Sequence, residues 1–214
     1  MKKALFFWGG YAPHEPEKTT LLFADALRTH GLETDISPSL EVLDDAERLR
    51  QYALIFPCWT MGTLSGSQTR NLSDAVQAGV GLGGLHGGMG DAFRGNTEYE
   101  WMVGGHFVGH PHVGDYTVRV CDGEHPITCG LPGTFAYSSE QYYLLTDPAN
   151  HVLADTQYHH EGRVTTMPVA WLRRWGKGRV FYSSLGHVPA EFDAFPEART
   201  LTVNGLLWAA GALS

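Results

Sequence analysis

Three segments of this chain each carry a histidine set among glycines and turn residues: Gly9-Gly10-Tyr11-Ala12-Pro13-His14-Glu15, Gly84-Leu85-His86-Gly87-Gly88 and Ser183-Ser184-Leu185-Gly186-His187. A neutral imidazole ligates metals and moves protons near neutral pH, so three such positions point to one polar centre. The chain holds 11 histidines, which weakens the case for any one of them taken singly. What sets these apart is context, because each follows a stretch of strand-like composition. The middle segment has the Gly-x-residue-x-Gly form of a nucleophile elbow, a strand-to-helix turn whose glycines let the backbone crowd and lift one side chain out. Elbows that acylate carry Ser or Cys. Here the raised residue is His86, which suits metal ligation or proton transfer; the bland alternative is a glycine-rich strand end whose histidine is bound to backbone.

Residues so far apart in the chain need a fold that brings them together. Residues 4–8 are a continuous apolar run ahead of Gly9-Gly10, the pattern of a strand covered on both faces in a parallel sheet. The spacing predicts a helix over 17–30 closed by Gly31, a strand over 32–36 and a short helix over 40–52. A strand over 53–57, a helix over 67–78 and a Gly-rich strand over 79–85 follow. Such alternation signals a doubly wound sheet, in which ligands bind beyond the carboxyl ends of the strands. His14, His86 and His187 are therefore expected to meet there. After residue 87 the composition turns to Gly, His and Pro, read as loop through 111, then as short strands over 116–121, 135–139 and 151–155. A β-hairpin of 169–175 and 179–184 and a helix over 196–210 complete the chain. No repeat or linker divides it, so one domain spanning 1–214 is expected.

Composition narrows the function. With 43% hydrophobic and 12% aromatic residues the chain can bury a large core, and its net charge of −8 disfavours nucleic acid as a partner. The three cysteines, Cys58, Cys121 and Cys129, lack zinc-ribbon spacing and read as free thiols of a reducing compartment. The apolar run near the start is too short for a signal peptide, and no stretch approaches the roughly 20 residues of a membrane span. A cytoplasmic protein without membrane contact is expected.

Four blocks then resemble, in order and spacing, the ThuA-like family of the class I glutamine-amidotransferase-like superfamily. They are Gly84-Leu85-His86-Gly87-Gly88, Gly104-Gly105-His106-Phe107-Val108-Gly109-His110-Pro111, His125-Pro126-Ile127-Thr128-Cys129-Gly130-Leu131-Pro132, and Gly176-Lys177-Gly178-Arg179-Val180-Phe181-Tyr182-Ser183-Ser184-Leu185-Gly186-His187. The resemblance implies a three-layer, flavodoxin-like α/β fold with a mostly parallel sheet and an added β-hairpin region. It also implies a site rebuilt from an amidotransferase centre, with His187 at the triad histidine and His86 in place of the nucleophilic cysteine, so glutamine hydrolysis through a thioester is not expected. The family's Asp-Glu-x-Tyr pattern falls on Ser139-Glu140-Gln141-Tyr142, where Glu140 matches and Ser139 replaces the Asp. His110 fits the second block and is counted as a pocket residue. The remaining histidines read as loop, turn, helix-end or strand-edge residues.

The combined expectation is an enzyme, a hydrolase or isomerase, acting on a disaccharide, keto-sugar or related polyol. The sugar class comes from the family resemblance to trehalose utilisation. His86, His187 and Glu140 are its catalytic candidates. His14, His86 and His187 suit a divalent metal such as zinc, with an open position for water or a sugar oxygen. Tyr11, Trp59, His110 and Tyr142 are candidate substrate contacts, the aromatic rings offering flat faces to a sugar ring. No nucleotide cofactor is expected, and the sheet edge and apolar last helix would accommodate a homodimer. The alternative is a non-catalytic module that binds a small polar ligand on a degenerate amidotransferase scaffold. A hydrolase with a relocated cysteine is a third reading.

Overall fold

The structure is a computed structural model describing residues 1–213. Its first half alternates β1 (Lys3–Gly10), α1 (Pro16–Thr29), β2 (Glu33–Ser37), α2 (Ala46–Leu49), β3 (Leu54–Thr60), α3 (Gly66–Ala78), β4 (Gly81–Leu85), α4 (His86–Gly90) and α5 (Thr97–Val103). The second half is β5 (Gly105–Val120), β6 (Thr134–Thr146), β7 (His151–His160), β8 (Arg163–Trp175), β9 (Gly178–Ser183), α6 (Glu191–Ala194) and α7 (Pro196–Ala209). The helix expected over 40–52 is split into a 3-10 turn, Leu40–Leu43, and the single turn of α2. α3 begins in a capping box, the Ser65 side chain accepting from the Gln68 backbone while the Gln68 side chain returns to Ser65.

All nine strands form one sheet in the order β2-β1-β3-β4-β9-β8-β7-β5-β6. The pairs from β2 through β9 are parallel and those from β9 through β6 antiparallel. The expectation of a mostly parallel sheet with an added hairpin is thus corrected to a mixed sheet. The difference lies chiefly in residues 105–111, read as loop from their Gly, His and Pro content. They are the first part of β5, held extended by their ladder to β6, so tertiary pairing overrides composition.

Successive residues of β1 face opposite sides, which explains its continuous apolar run. Ala4 and Phe6 join Phe23, Leu27, Leu201 and Leu206 under α1 and α7. Leu5 and Phe7 join Leu72, Val76, Tyr99 and Met102 under α3 and α5. Two cores on two faces make three layers.

β6 stands five places from β4, roughly 24 Å away in a flat sheet at about 4.8 Å per strand. Yet the Tyr142 ring of β6 stacks on His86, just past β4, with centroids 4.1 Å apart. The antiparallel half must therefore curl back over the carboxyl ends of the parallel strands. Register shifts in β5/β6 at Phe107–Gly109 and Gly109–His112, and in β7/β8 at Val152–Asp155, supply the bending that β-bulges give.

At the opposite edge, Asp35 of β2 accepts from Tyr52 (2.6 Å) and Arg48 (3.3 Å) and pairs with Lys3 of β1 (2.9 Å). Partial burial raises its carboxyl pKa, but the hydrogen bonds from Lys3, Tyr52 and Arg48 outweigh it and hold the group below its ordinary value. A depressed carboxyl stabilises the fold above its unfolded pKa of about 4, and the contribution fades as pH falls through the folded value. Asp35→Asn is expected to cost about 1 kcal/mol at pH 7, with the gap to the parent closing as pH falls below the ordinary carboxylate range, as urea unfolding at neutral and acid pH would show.

Candidate functional site

The parallel strands run β2-β1-β3-β4-β9, so strand order reverses between β1 and β3, and the crevice at their carboxyl ends is the natural ligand position. Four chain segments enter it. After β1, the 3-10 turn Ala12–His14 carries His14, and Glu15 in the left-handed region (φ 48°) redirects the chain into α1. β3 ends at Thr60, whose hydroxyl lies 2.8 Å from His14 Nδ1. After β4, His86 has φ 43° and opens α4 directly, the strand–strained residue–helix geometry of an elbow. After β9, Ser184, Leu185 and Gly186 lead to His187. Gly87 must be small: a Cβ there would stand 2.7 Å from His14 Cε1 and 3.0 Å from the Thr60 hydroxyl.

The arriving side chains meet. His14, His86, His187 and Glu140 each offer one ligand atom, all within 4.8 Å of one another. His86 Nε2 lies 3.3 Å from Glu140 Oε2 and 3.3 Å from His187 Nδ1, which is itself 3.4 Å from Glu140 Oε2. Donors around a tetrahedral zinc at about 2.1 Å lie roughly 3.4 Å apart, which three of these separations match. The tautomer of His86 sharpens the fit. Its Nδ1 lies 2.9 Å from the Ser184 carbonyl, which can only accept, so Nδ1 carries the hydrogen. In the neutral ring Nε2 then presents a lone pair to a carboxylate oxygen. Two acceptors facing one another repel unless a cation, metal or proton, lies between them.

Burial, followed by the neighbouring His86 and His187, pushes the His14 pKa down to about 3. His187 is lowered by burial first and by His86 next. Burial raises the Glu140 carboxyl, but a proton held between it and His86, together with the positive charge of the adjoining imidazoles when protonated, outweighs burial and brings the pKa to about 2. Near neutral pH the centre thus holds two uncharged imidazoles and a carboxylate, the protonation states of metal ligands.

The other expected site residues fall around this cluster. His110 on β5 is half-exposed at the rim, its Nε2 3.5 Å from Glu140 Oε1, the oxygen turned from His86. Tyr142 is 4% exposed, with the stacked His86 on one side and Phe107 at 4.5 Å. Its contacts are those of a wall that fixes the His86 ring. Tyr11 is 44% exposed and edge-on to His14 at 5.0 Å. Trp59 lies over Gly9 and Gly62, where a Cβ would come within 2.5 Å of its ring. His106 and His112 lie along β5, His151 pairs with Asp122, and His160 sits beside Glu161 at the end of β7. None joins the cluster. Cys58 is buried beneath it, burial raising its thiol to about 12, so it supplies no thiolate.

Four contributors escaped the sequence reading: Thr60, the Ser184 carbonyl, Tyr137 and Glu191. Glu191 accepts from Tyr137, Ser139 and the His187 backbone. Ser139, where the family pattern has Asp, therefore still lies beside a carboxylate, supplied from α6. No spacing signal marks Glu191, since it opens a one-turn helix after a Pro.

Among the described residues no helix is long and apolar enough to cross a membrane. A ThuA-like protein from Bacteroides uniformis superposes with a TM-score of 0.80 at 21% identity, covering 97% of this chain and 91% of that one. A cytoplasmic protein from Salmonella typhimurium gives 0.66 at 14% identity, with 98% and 99% covered. β-Galactosidase from Bacillus circulans sp. alkalophilus gives 0.63 at 13%, covering 98% of this chain but 30% of that enzyme. At these identities the likeness is one of fold. No curated protein matches the chain. The model of a sequence family described as trehalose utilisation, in contrast, matches residues 3–209, and the chain belongs to that family, ThuA.

Proposed function

We propose that this protein is a metal-assisted enzyme of sugar metabolism, a hydrolase or isomerase acting on a disaccharide, keto-sugar or related polyol. Family membership supports the link to sugar metabolism. The observation that carries the metal is the convergence of the His86 Nε2 lone pair, Glu140 and His187 within 3.3–3.4 Å, with His14 beside them. Imidazoles with a carboxylate suit zinc among common divalent ions. When bound, such an ion supplies a Lewis acid that polarises a carbonyl or acidifies a water.

This chain's residues have separable parts to play. The Ser184 carbonyl holds the His86 tautomer, and Thr60 anchors His14. His110, at the rim and within 3.5 Å of the outer Glu140 oxygen, is placed to pass a proton between Glu140 and a bound hydroxyl. Tyr11, exposed beside His14, offers a stacking face to a sugar ring. A cytoplasmic location accords with the described location of the Salmonella neighbours.

A second reading comes from the same geometry. The 3.3 Å separation of His86 Nε2 and Glu140 also suits a shared proton, giving an acid–base pair without metal. Elemental analysis of protein purified without chelator separates the two. Close to one zinc per chain, removed by chelator together with sugar turnover, is the expected result. Metal-free protein that still converts a keto-sugar or disaccharide would favour the acid–base pair, and ligand binding without turnover would favour a binding module.

A further inference from the structure

We infer that Glu191 is the positioning residue of the histidine–glutamate centre, locking the turn that carries His187 onto the strand that carries Glu140. The inference rests on the reading of that centre as a metal site. Glu191 Oε2 accepts from the Tyr137 hydroxyl at 2.6 Å and from the His187 backbone N–H at 3.0 Å. Its Oε1 accepts from the Ser139 hydroxyl at 2.7 Å. The Tyr137 oxygen in turn accepts from the Gly186 N–H at 2.9 Å. One carboxylate and one phenol thereby hold two consecutive backbone donors of the turn after β9 and two side chains of β6.

His86 also touches both segments, through the Ser184 carbonyl and the Tyr142 ring, but Glu191 and Tyr137 alone among the residues named here hold the His187 and Gly186 backbone donors. β9 and β6 are separated in the sheet by β8, β7 and β5, so no ladder fixes His187 relative to Glu140. Both must nevertheless stand 3.4 Å apart, and Glu140 directly follows Ser139. Tyr137 is 1% exposed; burial and then the Glu191 carboxylate drive its phenol far above the ordinary range, so it remains a donor at every working pH. Glu191 reaches His187 by hydrogen bond only through the main chain, which makes its role one of placement. Outer partners of this kind orient metal ligands, and their loss typically costs about 10–100-fold in metal affinity.

The test compares the full-length protein with Glu191→Ala and Glu191→Gln, measuring zinc affinity by chelator competition and histidine ring resonances by NMR on the metal-free proteins. Glu191→Ala is expected to weaken zinc binding by about 10–100-fold and to shift the His187 ring signals. Glu191→Gln is expected to stay close to the parent, because its amide oxygen keeps the Tyr137 and His187 donors and its NH2 can donate to Ser139. Should Glu191→Ala fail to fold, Tyr137→Phe removes one donor to the carboxylate and the acceptor for Gly186, and the same loss is expected. Parent-like zinc affinity with unmoved His187 signals in the alanine or phenylalanine variant overturns the inference. So does a glutamine variant as weak as alanine with those signals unmoved, since Glu191 would then act by charge. If the parent takes up no zinc, the metal reading fails and the His187 signals decide alone: moved, the lock stands; unmoved, it falls.

Discussion

His86→Asn is expected to lower zinc affinity, and the turnover that depends on it, by at least roughly 100-fold while the fold survives. Asparagine is chosen because position 86 has φ 43°, a conformation Asn tolerates better than Ala does. Its amide can still donate to the Ser184 carbonyl, so that buried acceptor keeps a partner. What disappears is Nε2, the atom shared with Glu140 and His187 at 3.3 Å. The variant also loses part of the stacking on Tyr142, a cost of about 1–2 kcal/mol, or roughly 2–8 °C in a chain of this size. Metal per chain and a thermal scan check both halves. A variant that kept its zinc and lost only stability would make His86 a core histidine and nothing more.

The largest structural effect is expected at Gly10. Its φ is 79°, and a Cβ there would come within 2.1 Å of the Thr60 carbonyl oxygen. Gly10 and Thr60 are register partners at the end of the β1–β3 ladder, so the clash falls on backbone that cannot swing aside. Gly10→Ala combines left-handed strain of about 1–2 kcal/mol with a forced separation of strand ends costing about 1–3 kcal/mol. The expected sum, about 3 kcal/mol, lowers Tm by roughly 6–12 °C. Because Thr60 anchors His14, zinc affinity falls as well. A Tm within a degree of the parent, read by calorimetry, would mean that the strand ends are free to part.

The parallel half was legible because its signals are local. Apolar runs, Gly9-Gly10 and the elbow glycines marked strand ends, and the doubly wound rule says where such ends meet; His14, His86 and His187 do lie together. Glu140 needed the family pattern, since a glutamate before tyrosines has no local signature of burial. The antiparallel half was hidden for a different reason. His106, Gly109, His110 and Pro111 have poor strand propensity, and only pairing with β6, some 30 residues on, keeps them extended. Glu191 was illegible because two of its donors are a backbone N–H and a serine whose positions depend on the curl of the sheet. Propensity carries no information about either.

That curl has a thermodynamic consequence. Three histidines sit just past strand ends of the parallel body, while the fourth donor, Glu140, rides on the distal pair of β5 and β6. Any cation gripping all four spans both parts, so docking of the pair and retention of the ion are reciprocally linked: whatever lifts one must loosen the other by the same free energy. Ion capture would then do for this sheet what a crosslink does elsewhere, cinching its parallel and antiparallel halves around the four donors.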